Sequence, residues 1–207
     1  MRALVTGASR GIGAALLAEG RARGHEVVGT TREGENALDV TDPEAQARLA
    51  QTTGPLDLLV CNAGVFVDRG CDIRSVTAAQ LTESFATNVT GVALTVQAQL
   101  PNLSRGGRIA VISSQMGSSQ KVNGGALAYR ASKAAAVNLA LNLAAGLRAE
   151  GIAVGVYHPG WVRTDMGGGA AAISPGESAR GLWDRFEALT LGSTGESATW
   201  DGRAHAV

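Results

Sequence analysis

The chain has 207 residues, with 18 Lys plus Arg balancing 18 Asp plus Glu, so its formal net charge is zero. That balance leaves no basic field for nucleic acid and no acidic tail for interaction work. No apolar run approaches the ~20 residues that span a bilayer, and residues 1–207 read most simply as one domain.

The N-terminus, MRALVTGASRGIG, lacks the apolar core and cleavage site of a signal peptide, so a cytoplasmic protein is expected, with Cys61 and Cys71 as free thiols. Residues 2–5 form a short apolar strand, followed by a glycine-rich turn and a helix over about 12–23. A second strand is expected at 27–31. The apolar stretch at 37–40 comes too soon for a parallel crossover, which needs about ten residues or more. It is therefore expected as a stubby edge strand, with the helix before it missing or reduced to a short loop. Residues 43–51 read as a helix with Asp42 as N-cap and Pro43 at the first helical position. A continuous apolar strand follows at 56–61, as expected where helices cover both faces of a sheet. The remaining expectations are a long helix at 77–100, a strand at 108–113 and a helix at 126–150 closed by Gly151. A strand at 152–158, a helix at 177–191 and a short strand at 197–201 complete the chain. This alternation predicts an α/β fold: a doubly wound parallel sheet of Rossmann type with right-handed crossovers.

Two motifs carry chemistry. Thr6-Gly7-Ala8-Ser9-Arg10-Gly11-Ile12-Gly13 joins the first strand to the first helix. Glycines there let backbone approach a phosphate, and the helix start offers free N–H groups and the positive end of its dipole. The second is Tyr129-Arg-Ala-Ser-Lys133. The chain has two lysines against 16 arginines and keeps one of them four residues after one of its two tyrosines. Positions i and i+4 share a helix face, which sets a phenol beside an ammonium. A nearby cation is expected to lower the phenol's pKa and make it a usable acid or base. His25 and His158 have no ligand-like spacing, and no metal site is implied.

Taken together, the two motifs resemble the short-chain dehydrogenase/reductase family. Further matches follow in order: Asn62-Ala63-Gly64, Asn88, Ile112-Ser113-Ser114 and Pro159-Gly160-Trp161-Val162-Arg163-Thr164. YRASKAA, HPGWVRTDMGG and the ending Trp200-Asp201-Gly202 look most like its C-factor/Sniffer-type carbonyl reductase subgroup. The resemblance implies Tyr129 as general acid in reduction, assisted by Lys133. It implies Ser114 as the donor that polarises the carbonyl, and Asn88 as the holder of a water linking Lys133 to solvent. Ser113, Ser118 and Ser119 compete with Ser114, which lies 15 residues before Tyr129. Alternation along the strand turns Ser113 and Ser114 to opposite faces, so only one of these two can serve.

The same resemblance places a dinucleotide on Gly7, Ser9, Arg10, Gly11, Ile12 and Gly13, on Asp39 and Val40, and on Asn62, Ala63 and Gly64. It adds Tyr129 and Lys133, then Pro159, Gly160, Val162 and Thr164, with Val162 and Thr164 expected at the nicotinamide carboxamide. Thr31 stands where an acid would select NAD, and Arg10 and Arg32 are nearby. Two guanidiniums favour a 2′-phosphate, hence NADP(H), although Glu33 argues the other way. Trp161 and Met166 suit either pocket or packing, and the Gly/Ala-rich 166–172 suits a mobile lid. The expected function is NADPH-dependent reduction of a small carbonyl substrate by a homodimer or homotetramer. The alternative is an NADP(H)-binding signalling or redox-sensing protein with little turnover.

Overall fold

The structure, a computed structural model, describes residues 1–206. Six strands form one parallel sheet in the order β2-β1-β3-β4-β5-β6: β1 Arg2–Val5, β2 Glu26–Gly29, β3 Leu56–Cys61, β4 Leu103–Ile112, β5 Ala153–His158 and β6 Ser197–Thr199. The helices are α1 Gly11–Ala22, α2 Pro43–Thr53, α3 Ala78–Phe85, α4 Gly91–Gln99, α5 Leu127–Leu147 and α6 Pro175–Ala188. Side chains alternate across the sheet. Leu4, Leu59, Ile109 and Val154 join one core with residues of α2, α4 and α5. Ala3, Val5, Leu58, Val60 and Ala110 join a second core with Leu16 of α1 and Leu182, Trp183 and Phe186 of α6. Burial on both faces explains the apolar run of β3 after the exposed Asp57. Among the described residues, no helix is long and apolar enough to cross a membrane.

Four local expectations change. The stub at 37–40 is reduced to one parallel bridge between Thr31 and Ala37. Leu38 and Val40 are nevertheless buried, with exposed Asp39 between them, so the segment covers the sheet edge without extending it. The missing helix is confirmed, because the chain reaches this bridge from β2 through a short loop. The long helix at 77–100 is interrupted by a π-helical turn, Ala86–Thr90. Such a turn widens the hydrogen-bond ring and frequently marks functional positions. The last long helix begins at Pro175 rather than 177, because Ser174 and Glu177 form a capping box behind Pro175 at the first position. The closing strand ends at Thr199, where the chain turns back.

Candidate active site

The chain runs from β1 outward to β2 and then returns to β3 on the other side, so the winding reverses beside β1. Open α/β sheets bind ligands at such a reversal, beyond the carboxyl ends of the strands. A cleft of about 710 Å³ lies there. Its walls include Gly7, Ser9, Arg10, Gly11, Ile12 and Gly13 from the turn after β1. Arg32, Asp39 and Val40 line it beyond β2, Asn62, Ala63 and Gly64 after β3, and Thr164 after β5. Pro159, Gly160 and Val162 do not line the cleft. Pro159 accepts a hydrogen bond from Ser178 Oγ at 2.6 Å, and Val162 is buried and bridged to Ile173. They hold the wall that presents Thr164.

The glycine turn is shaped by close approach. Gly7 has φ +68°, and a Cβ on Gly13 would stand 2.1 Å from the Gly7 carbonyl oxygen. Asn62 braces the turn, donating Nδ2–H to the carbonyls of Thr6 at 2.9 Å and Gly7 at 3.1 Å. Arg10 precedes α1 without a side-chain cap, and the first turn of α1 has no acid. The helix start therefore presents uncapped N–H groups and a positive dipole end to the cleft, a donor set that fits a pyrophosphate. Arg10 forms an ion pair with Asp165 across the cleft, between two largely exposed side chains. No ion pair is found for Arg32 among the described residues. Its charge helps hold the Asp39 carboxyl below the usual range, behind the larger effect of two hydrogen bonds from Thr41.

The tyrosine end of the site lies at the start of α5. Tyr129 and Lys133 are both buried, and the Lys133 ammonium lies 5.9 Å from the centre of the Tyr129 ring. Lys133 Nζ donates to the Ile112 carbonyl at 3.0 Å. Burial pushes its pKa down to about 8, so it remains an ammonium at neutral pH. The expected lowering of the phenol by this ammonium is not what the geometry produces. Burial dominates and raises the Tyr129 pKa, opposed by a hydrogen bond from Ser114 and by the charge of Arg69. The Lys133 ammonium lies over the Tyr129 ring, and the charge of Arg69 works against the rise.

Three of the competing serines, Ser113, Ser114 and Ser118, separate. Ser114 Oγ accepts the Met116 N–H at 3.1 Å, and the Ser114 side chain is the one that works against the rise in the Tyr129 pKa. Ser113 Oγ donates instead to the Lys133 backbone carbonyl at 3.3 Å, on the opposite side of the strand end. Ser118 Oγ accepts from the Gln120 N–H at 3.3 Å. Asn88 sits in the π-helical turn and is fully buried. Its Oδ1 accepts from the Val65 N–H at 2.9 Å, and its Nδ2 donates to the Val65 carbonyl at 3.0 Å and to Ser132 Oγ at 2.9 Å. The side-chain amide is thus committed to fastening the segment after β3 to α5.

Two contributors were missed in the sequence. Asp68 is fully buried and accepts the N–H of Ala128 at 2.7 Å and of Tyr129 at 3.2 Å. It caps α5 from a distance, because Ala126 at the N-cap position is left-handed and offers no side-chain acceptor. The signal was the lack of Ser, Thr, Asp or Asn directly before Leu127. Phe66 stacks on the Tyr129 ring at 4.4 Å, with Arg69 over its other side at 4.7 Å. Arg69 also donates to the Met166 carbonyl, which ties down the expected lid. Trp161 Nε1 donates to the Gly167 carbonyl at 2.8 Å, and Arg163 reaches the carbonyls of Ala171 and Ala172, so 166–172 is tethered at several points.

Comparison with known proteins places the chain in a family. The family model described as short chain dehydrogenase matches residues 36–172. C-signal of Myxococcus xanthus is 38% identical over 154 residues, covering 72% of this chain and 92% of that protein. An NADPH-bound carbonyl reductase from chicken fatty liver superposes with a TM-score of 0.90 at 31% identity, covering 100% of this chain and 98% of the other. A short-chain dehydrogenase/reductase from Burkholderia multivorans with bound NADP gives a TM-score of 0.92 at 32% identity, covering 100% and 99%.

Proposed function

The chain belongs to the short-chain dehydrogenase/reductase family, and from that premise we propose that it reduces a small ketone or aldehyde to an alcohol with NADPH, using Tyr129 as the proton donor. The observation that carries this reading is the buried Tyr129 phenol, with the Lys133 ammonium over its ring and close to Gly64, which lines the cleft together with the glycine turn after β1.

Arg32 and the uncapped start of α1 would hold the phosphates, and Thr164 faces the same cleft from the β5 side. When bound, the cofactor supplies the hydride. Ser114 and Tyr129 donate hydrogen bonds to the substrate oxygen, and both bonds strengthen as that oxygen gains the carbonyl electron pair. The oxygen then takes the Tyr129 proton. A phenol held protonated by burial is suited to that donation. The phenolate left behind is stabilised by the Lys133 ammonium, which its pKa of about 8 keeps charged. Asn88 and Asp68 hold the segments carrying these groups.

The test is a panel of carbonyl compounds with NADPH and NADH. NADPH oxidation is expected with some member and should be lost in Tyr129→Phe. Turnover surviving that substitution would sink the assigned proton donor. The similarity to C-signal supports a second reading, an NADP(H)-binding signalling protein with little turnover. Tight NADPH binding by a wild-type protein inert to the whole panel would favour it.

A further inference from the structure

Two segments flank the approach to Tyr129. The one after β3 carries Phe66 onto the Tyr129 ring, and the one after β5 carries Thr164 and Met166 into the cleft wall. Arg69 joins them. Its guanidinium carbon lies 4.7 Å from the centre of the Phe66 ring, which stacks on Tyr129 at 4.4 Å. From that position Nη2 donates to the Met166 carbonyl. Arg69 is exposed, and so are the large apolar side chains of Trp161 and Met166 on the facing segment.

This charge is held in place without being neutralised. A guanidinium has five N–H donors, and the bond to Met166 uses one of them. Among the described residues no carboxylate pairs with Arg69. The acids nearest to it along the two segments are engaged elsewhere: Asp68 accepts the N–H groups at the start of α5, and Asp165 pairs with Arg10. An arginine free in solvent loses side-chain entropy when it binds an anion. Stacking on an aromatic face and a bond to a backbone carbonyl restrict Arg69 beforehand, which lowers that cost. A planar fork with unused donors matches a carboxylate, and a single guanidinium matches a single negative charge.

We propose that Arg69 is a specificity-determining residue that pairs with a carboxylate on the substrate, so that the substrate class is an apolar ketone or aldehyde bearing an acid group. The inference rests on the reading of Tyr129 as proton donor to a carbonyl. Phe66 sets the guanidinium one ring away from the phenol, so the acid group and the reacting carbonyl are separate groups joined by a short carbon chain. The exposed Trp161 and Met166 offer apolar surface to that chain.

The experiment compares aldehydes of four, five and six carbons that end in a carboxylate with their methyl esters, using NADPH and wild type, Arg69→Gln and Arg69→Glu. The quantity read is the ratio of kcat/KM for acid to that for ester. A change in Tyr129 or in the tether to Met166 acts on both substrates alike and cancels in the ratio. Wild type should prefer the acid at least about tenfold for one chain length, as a charge-assisted bond predicts. Arg69→Gln should bring that ratio close to one, and Arg69→Glu should invert it. A wild type without the preference, or a preference that survives in Arg69→Gln, overturns the proposal and leaves Arg69 as a tether only. A second readout needs no turnover: binding of hexanoate and hexanamide to the protein saturated with NADP⁺, followed by ligand-observed NMR. Hexanoate should bind more tightly than hexanamide to wild type, and Arg69→Gln should abolish the difference. If wild type reduces no carbonyl yet shows this Arg69-dependent binding, the carboxylate site stands and the reductase reading is refuted. If hexanoate binding is indifferent to Arg69, the carboxylate site is refuted whatever the turnover.

Discussion

Lys133 is a buried cation whose hydrogen bond to the Ile112 carbonyl does not offset the cost of its burial. Its pKa falls from 10.5 to about 8 on folding. A depression of that size corresponds to about 3 kcal/mol, because each unit is worth about 1.4 kcal/mol. The sign follows from proton binding. Between pH 8 and 10.5 the unfolded chain holds a proton that the folded chain has lost, so stability rises with pH through that window. Below pH 8 the protein carries the full cost. Lys133→Met removes it while leaving the Ile112 carbonyl without this donor, a loss of about 1–3 kcal/mol. The net change at pH 7 is therefore small or stabilising, whereas activity disappears. A cleaner quantity is the stability difference between variant and wild type. It should move by about 3 kcal/mol in favour of wild type from pH 7 to pH 10.5, since only wild type gains there. Urea unfolding at the two pH values measures it. A pH-independent difference would refute the burial cost assigned to this ammonium and, with it, the picture of a site that holds destabilising charge for catalysis.

Arg32→Ala should weaken NADPH at least about tenfold with little change for NADH, as expected for a guanidinium serving the 2′-phosphate; equal losses in a fluorescence titration would remove that role. Asp68→Ala leaves the Ala128 and Tyr129 N–H groups unpaired at a buried helix start and should cost about 2–4 kcal/mol in urea unfolding, with Asp68→Asn, which keeps an acceptor, costing less. Because the His158 pKa is depressed from 6.5 to about 4, the unfolded chain binds an extra proton between those values, and stability should fall by up to about 3 kcal/mol as pH drops through them. His158→Asn should flatten that window; the same slope in both proteins would take His158 out of the acid response.

The Rossmann-type order of strands and helices was legible because its signals are local. Apolar runs of strand length, the glycine turn and the Asp42 cap each act within a few residues, and the structure keeps all but the run at 37–40. The capping box at Ser174 and Glu177 was equally local and was passed over. The π-helical turn at Asn88 was not legible. It is held by bonds from the side chain to Val65 and Ser132, 23 and 44 residues away in sequence.

The sequence by itself determined the fold class, the glycine turn after β1 and the Tyr129–Lys133 pair, because helical and strand periodicity fixes which neighbours share a face. Tertiary structure alone decided what those groups became. Burial turned the expected lowering of the phenol into a rise, with the Lys133 ammonium over the ring, 5.9 Å from its centre. The approach of Ser114 to Tyr129 separated it from Ser113. The start of α5 found its cap in Asp68, and a histidine beyond β6 came to rest against the ring of His158. Each of these depends on desolvation and on contacts between residues far apart in the chain, which no local pattern encodes.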